Sequence, residues 1–251
     1  MTCYAIGDIH GHLEKLQAAH FLIDEDRRQH STPEAPVVHV GDLVDRGPDS
    51  RGVIQHLIDG RARGENWVVL AGNHDRMFSG FLSDANHRDP RLRAEFTWLH
   101  PALGGVETLA SYDVAPVLGR PAAEVHAEAR ARVPDAHREF LAGLQLWHRV
   151  AGTLFVHAGI RPGVALEDQA EEDLVWIRAE FLNDDRDHGA LVVHGHTPVE
   201  AATHYGNRLN IDSGAAFGRP LSAVAVEGRK AWLLTPSGRV ELLPKQTDLG
   251  V

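Results

Sequence analysis

The sequence contains one cysteine, Cys3, so no disulfide can form within the chain. Disulfide frameworks stabilise small secreted proteins, whereas a chain of 251 residues is long enough to bury a full hydrophobic core without them. Because Cys3 lies in an apolar N-terminal run, we expect a buried, unreactive thiol rather than a nucleophile. The simplest expectation is one domain over residues 1–251 in a reducing compartment.

Positive charge is also scarce, with 25 Lys and Arg residues against 35 Asp and Glu residues and a formal net charge of −10. Nucleic-acid binding depends on clustered Lys and Arg, so we expect no nucleic-acid partner. No apolar run approaches the roughly 20 residues that a membrane-spanning helix needs, and no signal-peptide pattern precedes the first motif. We therefore expect a cytoplasmic protein that does not associate with a membrane.

Short apolar runs recur along the chain, each followed at once by a cluster of Gly, Asp, Asn or His. We predict buried strands at these runs, Cys3–Ile6, Val37–Val40, Trp67–Leu70, Leu154–Val156 and Leu191–Val193. Between them, Leu13–Glu25 and residues 49–63 have apolar residues at helical spacing. Strands that alternate with helices indicate an α/β layered fold.

Two segments depart from this alternation. Residues 77–150 have a mostly helical pattern between two motif-bearing strands, so we expect a helical insert that recognises the substrate. After Thr197 the chain changes to short β-like segments separated by Gly, Pro and Ser, and a second sheet that closes the domain is the simplest account. The tail after Pro244 is expected to be loose.

Polar clusters follow the predicted strands and are the candidates for chemistry. They are Gly7-Asp8-Ile9-His10-Gly11, Gly41-Asp42-Leu43-Val44-Asp45-Arg46-Gly47, Gly72-Asn73-His74-Asp75, His157-Ala158-Gly159 and His194-Gly195-His196-Thr197. A single cluster of this kind is usually a turn or an isolated histidine. Independent turns do not explain a whole series of strand ends that each carry metal-competent side chains.

The first two clusters already suggest a pair of cations. Asp8 and His10 are two residues apart, so on an extended segment their side chains leave on the same side and can hold one ion. Oxygen and imidazole ligands without cysteine suit Mn, Fe, Zn or a similar divalent ion. A bridging carboxylate is needed to hold two cations about 3.5–4 Å apart, and Asp42 is the candidate.

In this order, the clusters resemble the motifs of the calcineurin-like metallophosphoesterases, and within them the phosphoprotein phosphatase family with its bacterial and bacteriophage lambda-type members. The resemblance extends from Ala5 to about Val226 and includes Trp98 through Tyr112, Trp176-Ile177-Arg178, His196-Thr197-Pro198 and Ile211-Asp212-Ser213-Gly214-Ala215. It implies a four-layer α/β/β/α sandwich. It also implies a hydrolase that cleaves phosphomonoesters with a metal-bound hydroxide.

The resemblance further implies a role for each matching residue. Two divalent metal ions are expected, manganese first, with iron, zinc, nickel and cobalt as alternatives. Their ligands would be Asp8 and His10 on the first ion, Asp42 between the two, and Asn73, His157 and His196 on the second. His74 stays free of metal as the general acid and is oriented by Asp45. Arg46, Arg178 and Asn73 are expected to bind the substrate phosphate, which the planar guanidinium fork suits.

The resemblance leaves the substrate open between two classes. A serine/threonine protein phosphatase, with tyrosine phosphatase activity as an extension, is the leading hypothesis because Asp45-Arg46, Trp176-x-Arg178 and His196-Thr197-Pro198 resemble that branch. The alternative is a symmetrical bis(5'-nucleosyl)-tetraphosphatase acting on diadenosine tetraphosphate. It is favoured by Asp75, where many protein phosphatases carry Glu.

A third hypothesis, from another class, is a metal-binding interaction module that has lost catalysis. Every catalytic position is filled, which argues against it. The expected partner is therefore a phosphoprotein or a phosphorylated small molecule.

Overall fold

The computed structural model describes residues 1–245. Within these residues the strands are β1 (Thr2–Ile6), β2 (Val37–His39), β3 (Trp67–Val69), β4 (Trp147–Val150), β5 (Thr153–Val156), β6 (Leu191–His194), β7 (Thr203–His204), β8 (Arg208–Asn210), β9 (Ala223–Glu227), β10 (Lys230–Thr235) and β11 (Gly238–Glu241). The α-helices are α1 (Leu13–His30), α2 (Ser50–Ala62), α3 (Asn73–Ser83), α4 (Gly105–Ser111), α5 (Ala122–Arg132), α6 (Asp135–Ala142), α7 (Glu171–Trp176) and α8 (Ala179–Leu182). Residues 246–251, most of the tail predicted to be loose, lie outside the described residues.

The strands form two sheets. The first has the order β11-β10-β9-β1-β2-β3, in which β1, β2 and β3 are parallel and β9, β10 and β11 are antiparallel. The second has the order β4-β5-β6-β8-β7, in which β5, β6 and β8 are parallel. The C-terminal strands are therefore divided between both sheets, and the prediction that they close the domain as a separate sheet is wrong. The open side of β1 offers unpaired backbone groups, and β9 satisfies them.

Alternate residues of β1 face the two sides of the first sheet. Cys3 and Ala5 pack with Phe155 of the second sheet in a core between the sheets. Tyr4 and Ile6 face the other way and pack with residues of α1 and α2. Helices α7 and α8 cover the outer face of the second sheet, in a core with β5 and β6. These layers are α/β/β/α, so the fold class predicted from the sequence is confirmed.

The long helical stretch between β3 and β4 shares the core of α1 and α2 on the outer face of the first sheet. It runs from α3 to α6, and Met77, the predicted start of the insert, lies inside α3. The predicted insert also included Trp147–Val150, which forms the edge strand β4. No helix within residues 1–245 is both long and apolar enough to cross a membrane.

Candidate metal centre

The polar clusters lie in loops at the carboxyl ends of parallel strands, where ligand sites of open α/β sheets usually form. The loops after β1, β2 and β3 belong to the first sheet, and those after β5 and β6 belong to the second. Hydrogen bonds join the two sets. His157 Nδ1 lies 2.9 Å from the carbonyl oxygen of Val40, and the backbone N–H of His196 donates to Asp8 Oδ2 at 2.9 Å. All six predicted metal ligands are buried around this junction.

Asp42 lies between two histidines, one from each sheet. Its Oδ2 is 3.4 Å from Nε2 of His10, and its Oδ1 is 3.4 Å from Nε2 of His157. The side chains that can share a cation accordingly form two groups, His10 with Asp42 and His74, and Asp42 with His157 and His196. Asp42 is the residue common to both groups, as a bridging carboxylate requires.

The histidines present unprotonated nitrogens to the centre. Nδ1 of His10 lies 2.9 Å from the carbonyl oxygen of Val44, and a carbonyl can only accept, so Nδ1 carries the proton and Nε2 keeps its lone pair. The same reasoning holds for His157, whose Nε2 lies 3.1 Å from Oδ1 of Asn73. Burial lowers the pKa of His10, His157 and His196, which favours the neutral form that ligates a metal. Nε2 of His157 and Oδ1 of Asn73 are both acceptors, so at this distance they suit a cation that both atoms contact.

Asp8 supplies a second indication that the centre fits cations. Its Oδ2 accepts from His196, but its Oδ1 is buried without a hydrogen-bond partner among the described residues. Burial raises the pKa of Asp8 well above its usual range, and the neighbouring carboxylates of Asp212 and Asp42 raise it further. Burial also raises the pKa of Asp212 to about 6. Buried carboxylates this close together need positive charge, which divalent ions held by oxygen and imidazole ligands would supply.

His74 projects from the start of α3 and is paired with Asp45. Its Nδ1 lies 2.6 Å from Asp45 Oδ2, and both side chains are buried. Asp45 also accepts from Nε1 of Trp98 at 2.9 Å and from the hydroxyl of Thr108 at 2.7 Å. His74 therefore turns Nε2 toward the cleft, where it lies 3.0 Å from Nη2 of Arg46.

Both predicted phosphate-binding arginines reach the centre. Arg46 Nη1 lies 2.9 Å from Nε2 of His10, and Arg178 Nε donates to Nε2 of His196 at 3.0 Å. With Asn73 they line a cavity of about 380 Å³ above the centre. An anion in this cavity would meet two guanidinium groups that already point toward the cation ligands.

The backbone at this site is unusual. Among residues 1–245, eight non-glycine residues have a positive φ, and five of them belong to the site, His10, Asp42, Asp45, Arg46 and His196. Left-handed backbone at such residues costs about 1–3 kcal/mol each and persists where the surroundings enforce it, often at functional sites. Gly195 also has a spatial role, since a Cβ there would overlap Asp8 Oδ1.

Several contributing residues were not predicted from the sequence. Trp98 and Thr108 hold Asp45 but come from the helical stretch, so only the fold brings them to the site. Asp75, which the sequence suggested as an indicator of substrate, has both oxygens bonded to backbone N–H groups, of Leu43 at 2.9 Å and of Gly72 at 2.8 Å. It holds two ligand-bearing loops together.

The model of the calcineurin-like phosphoesterases matches residues 1–224 of the chain. The chain belongs to the calcineurin-like phosphoesterase family. As a member, it is a hydrolase that acts on phosphate ester bonds. The family uses divalent metals, and the two buried groups that share Asp42 fit such ions.

Relatives of this phosphoesterase carry two kinds of name. The chain is 26% identical to the asymmetrical bis(5'-nucleosyl)-tetraphosphatase PrpE of Oceanobacillus iheyensis, over 98% of this chain and 96% of that protein. It is 27% identical to serine/threonine-protein phosphatase 1 of Salmonella typhimurium, over 89% of this chain and 91% of that protein. The crystal structure of a cold-active protein-tyrosine phosphatase from a psychrophilic Shewanella matches with a TM-score of 0.63 and 16% identity. That match covers 96% of this chain and 80% of the other, and it supports the fold.

Proposed function

We propose that this phosphoesterase hydrolyses its substrate at a centre of two divalent cations, with manganese as the expected metal. The position of Asp42, whose two carboxylate oxygens face histidines of different sheets, is the observation that carries the proposal. Asp8 and His10 would hold one ion, and Asn73, His157 and His196 the other, with Asp42 on both. When bound, the ions would withdraw charge from the phosphoryl group and lower the pKa of a nearby water.

The side chains of the cleft supply the remaining chemistry. The fork of Arg46 and the guanidinium of Arg178, together with the amide of Asn73, would bind the non-bridging oxygens of the phosphate. His74, held through Nδ1 by Asp45, directs Nε2 into the same cavity. In the protonated form, this nitrogen can donate to the oxygen that leaves as the phosphorus–oxygen bond breaks.

Two substrate classes are candidates. Hydrolysis of phosphoserine or phosphothreonine in proteins is supported by the Salmonella relative and by the Trp176-x-Arg178 motif. Hydrolysis of a dinucleoside polyphosphate is supported by the PrpE relative, which matches along nearly its whole length, and by the additional arginines of the cavity. The geometry favours the second class, because more cationic groups surround the cavity than one phosphate requires.

The role of Asp42 can be tested with Asp42→Asn, which keeps the shape of the side chain and removes its charge. We expect the variant to bind less than the wild type's complement of manganese, measured by metal analysis after dialysis, and to lose hydrolysis of p-nitrophenyl phosphate. Asp168→Asn, at an exposed position, is the control for a lost carboxylate. Full metal content and full activity in Asp42→Asn would refute the bridging role.

The substrate class can be tested by measuring kcat/KM on a phosphothreonine peptide and on diadenosine tetraphosphate side by side with added manganese. A higher value on the dinucleotide supports the class that the geometry favours. A higher value on the peptide supports the protein phosphatase.

A further inference from the structure

The cavity above the metal centre is lined on its outer side by a loop of the helical stretch. Arg91, Arg93 and Phe96 of this loop share the cavity with Arg46 and Arg178. The chain as a whole carries a net charge of −10, so four arginines around one cavity of about 380 Å³ are a local concentration of positive charge. Arg46 and Arg178 already suffice to bracket a single phosphate, which leaves Arg91 and Arg93 without a function in the proposed reaction.

Neither guanidinium of the loop is neutralised by a neighbour. Within residues 1–245, no carboxylate lies within 4.0 Å of the side-chain nitrogens of Arg91 or Arg93, and both residues are exposed. Arg76, by contrast, lies 2.7 Å from Asp89. Two adjacent unpaired cations repel each other, so their position in the cavity wall suits an anionic ligand.

The loop that carries the two arginines is anchored to the domain. Asp89 is buried, pairs with Arg76 of α3 and accepts from the backbone N–H of Arg91 at 3.0 Å. Arg88 donates to the carbonyl oxygens of Ala94 and Phe96 and so closes the loop on itself. An anchored loop presents its side chains with a smaller loss of conformational entropy on binding than a free one.

The same wall includes a flat aromatic surface. The ring of Phe96 is stacked on that of His100, with 4.0 Å between the centroids and an interplanar angle of 23°. Phe96 is half-buried and lines the cavity. A nucleobase can stack on such a ring.

We propose that Arg91 and Arg93 form a second anion subsite, which binds a phosphate group other than the one that is cleaved. The substrate class is then a nucleoside or dinucleoside polyphosphate, with Phe96 available to its base. In the reaction, a water oxygen would form a bond to the phosphorus held between Arg46 and Arg178 and would lose a proton. The bond from that phosphorus to the bridging oxygen would break with its electron pair going to this oxygen, which His74 can protonate, and the leaving nucleotide or polyphosphate group would stay on the two loop arginines. This inference rests on the proposed function, because it assumes that cleavage takes place between Arg46 and Arg178.

The test compares the double variant Arg91→Ala/Arg93→Ala with Arg63→Ala/Arg132→Ala, which removes the same charge from exposed positions outside the cavity. On diadenosine tetraphosphate we expect the first variant to lose at least about tenfold in kcat/KM, mostly through KM, since two charge-assisted contacts are lost. On p-nitrophenyl phosphate, which has one phosphate, we expect both variants to match the wild type. Equal losses on the two substrates, or no loss on either, would overturn the subsite.

An acidic protein substrate is the other source of negative charge that the two arginines could bind. A phosphothreonine peptide with acidic flanking residues tests for it. A loss confined to this peptide, with the polyphosphate unaffected, would overturn the proposal and assign the arginines to an acidic protein substrate. Binding of a methylene-bridged diadenosine tetraphosphate analogue, measured by calorimetry, separates the subsite from catalysis. If the wild type hydrolyses none of the substrates, the proposed function fails. Weaker binding of the analogue to the double variant alone would still support the subsite.

Discussion

His74 and Asp45 form a buried pair in which Nδ1 of the imidazole lies 2.6 Å from Oδ2 of the carboxylate. The pair fixes which nitrogen of His74 faces the substrate. It also leaves open a competing role, because His74 belongs to one of the two groups that can share a cation. The two roles, general acid and metal ligand, predict different results for the substitution His74→Ala.

For a general acid, His74→Ala should lower kcat on an alkyl phosphate by about 10²–10⁴-fold while metal content is unchanged. The loss should be smaller on p-nitrophenyl phosphate, because its leaving oxygen is a weaker base and needs less protonation. His148→Ala, in strand β4 of the second sheet, is the control. A variant that loses one metal equivalent, or loses equal activity on both substrates, would identify His74 as a ligand.

Trp98 is a positioning residue for this pair, and Trp98→Phe removes its Nε1 donor while keeping an aromatic ring against Phe78. We expect kcat on an alkyl phosphate to fall about tenfold, since a hydrogen bond to a charged group contributes about 1.5–3 kcal/mol. KM and metal content should stay as in the wild type. Trp232→Phe, in β10, is the matched control. An effect on KM alone would contradict positioning.

The buried carboxylates around Asp8 make stability depend on metal. Adding manganese to chelator-treated protein should raise Tm, because a ligand at 100 times its Kd stabilises the folded state by about 2.7 kcal/mol. Asp8→Asn removes a carboxyl whose pKa is raised by burial and by Asp212 and Asp42, so the cost of burying that group is lost and the metal-free variant should melt above the metal-free wild type. The rise in its Tm on addition of manganese should be smaller than that of the wild type. An unchanged manganese shift in Asp8→Asn, measured by calorimetry beside Asp168→Asn, would exclude Asp8 as a ligand.

A separate chain of histidines lies behind the first sheet. His39 Nδ1 lies 3.1 Å from the carbonyl oxygen of Val68, so it carries the proton and Nε2 accepts. Nε2 of His20 then donates to it at 2.9 Å, and Nε2 of His56 donates to Nδ1 of His20 at 3.0 Å. The ring of His20 is stacked on Trp67 at 4.1 Å. This arrangement uses both ring nitrogens of His20 and of His39, so neither of these two rings has a place for a further proton.

Burial lowers the pKa of His20 to about 2, helped by the charges of His39, His56, Arg27 and Arg63, and burial lowers that of His39 to about 4. The unfolded chain takes up these protons near pH 6.5, so it binds more protons than the folded state below that pH. The free energy of unfolding should therefore fall as the pH drops from about 6.5 toward 4, by up to about 1.4 kcal/mol per pH unit for each group.

The pH dependence can be assigned with His20→Phe, which keeps a ring against Trp67 and removes one titrating group. We expect a shallower decline between pH 6.5 and 4 in urea titrations than in the wild type. The control is His126→Phe in α5, at a position outside this chain of histidines. Parallel curves for His20→Phe and the wild type would show that His20 does not contribute.

The strand ends with their polar clusters were predictable because a buried strand followed by Gly, Asp and His is a local pattern, as in Cys3–Ile6 followed by Asp8. Strand β4 was not predictable from its sequence, because Trp147-His148-Arg149-Val150 has no clear alternation and is ordered by pairing with β5. The division of the C-terminal strands between two sheets depends on which edges are free, which is a property of the assembled fold.

The same difference between local patterns and the assembled fold applies to the residues of the candidate site. Asp42 could be named because it belongs to a motif at a strand end. Arg91 and Trp98 lie in a segment that reaches the cleft only in the folded protein, and no local sequence pattern predicts this position. Asp75 was noticed only as a residue that favours a nucleotide substrate. Its bonds to Leu43 and Gly72 show that it also holds two loops together, a role that the sequence did not reveal.

The left-handed backbone at Asp42, Asp45 and Arg46 has a consequence for anyone who engineers this enzyme. At Asp45 the strain is offset by the hydrogen bonds of its buried carboxylate, which glycine cannot make. At the half-buried Arg46, a laboratory selection for heat resistance alone would favour glycine, because glycine adopts this conformation without strain. That gain in thermostability would delete one of the proposed phosphate-binding groups, so directed evolution of this scaffold has to score turnover in every round.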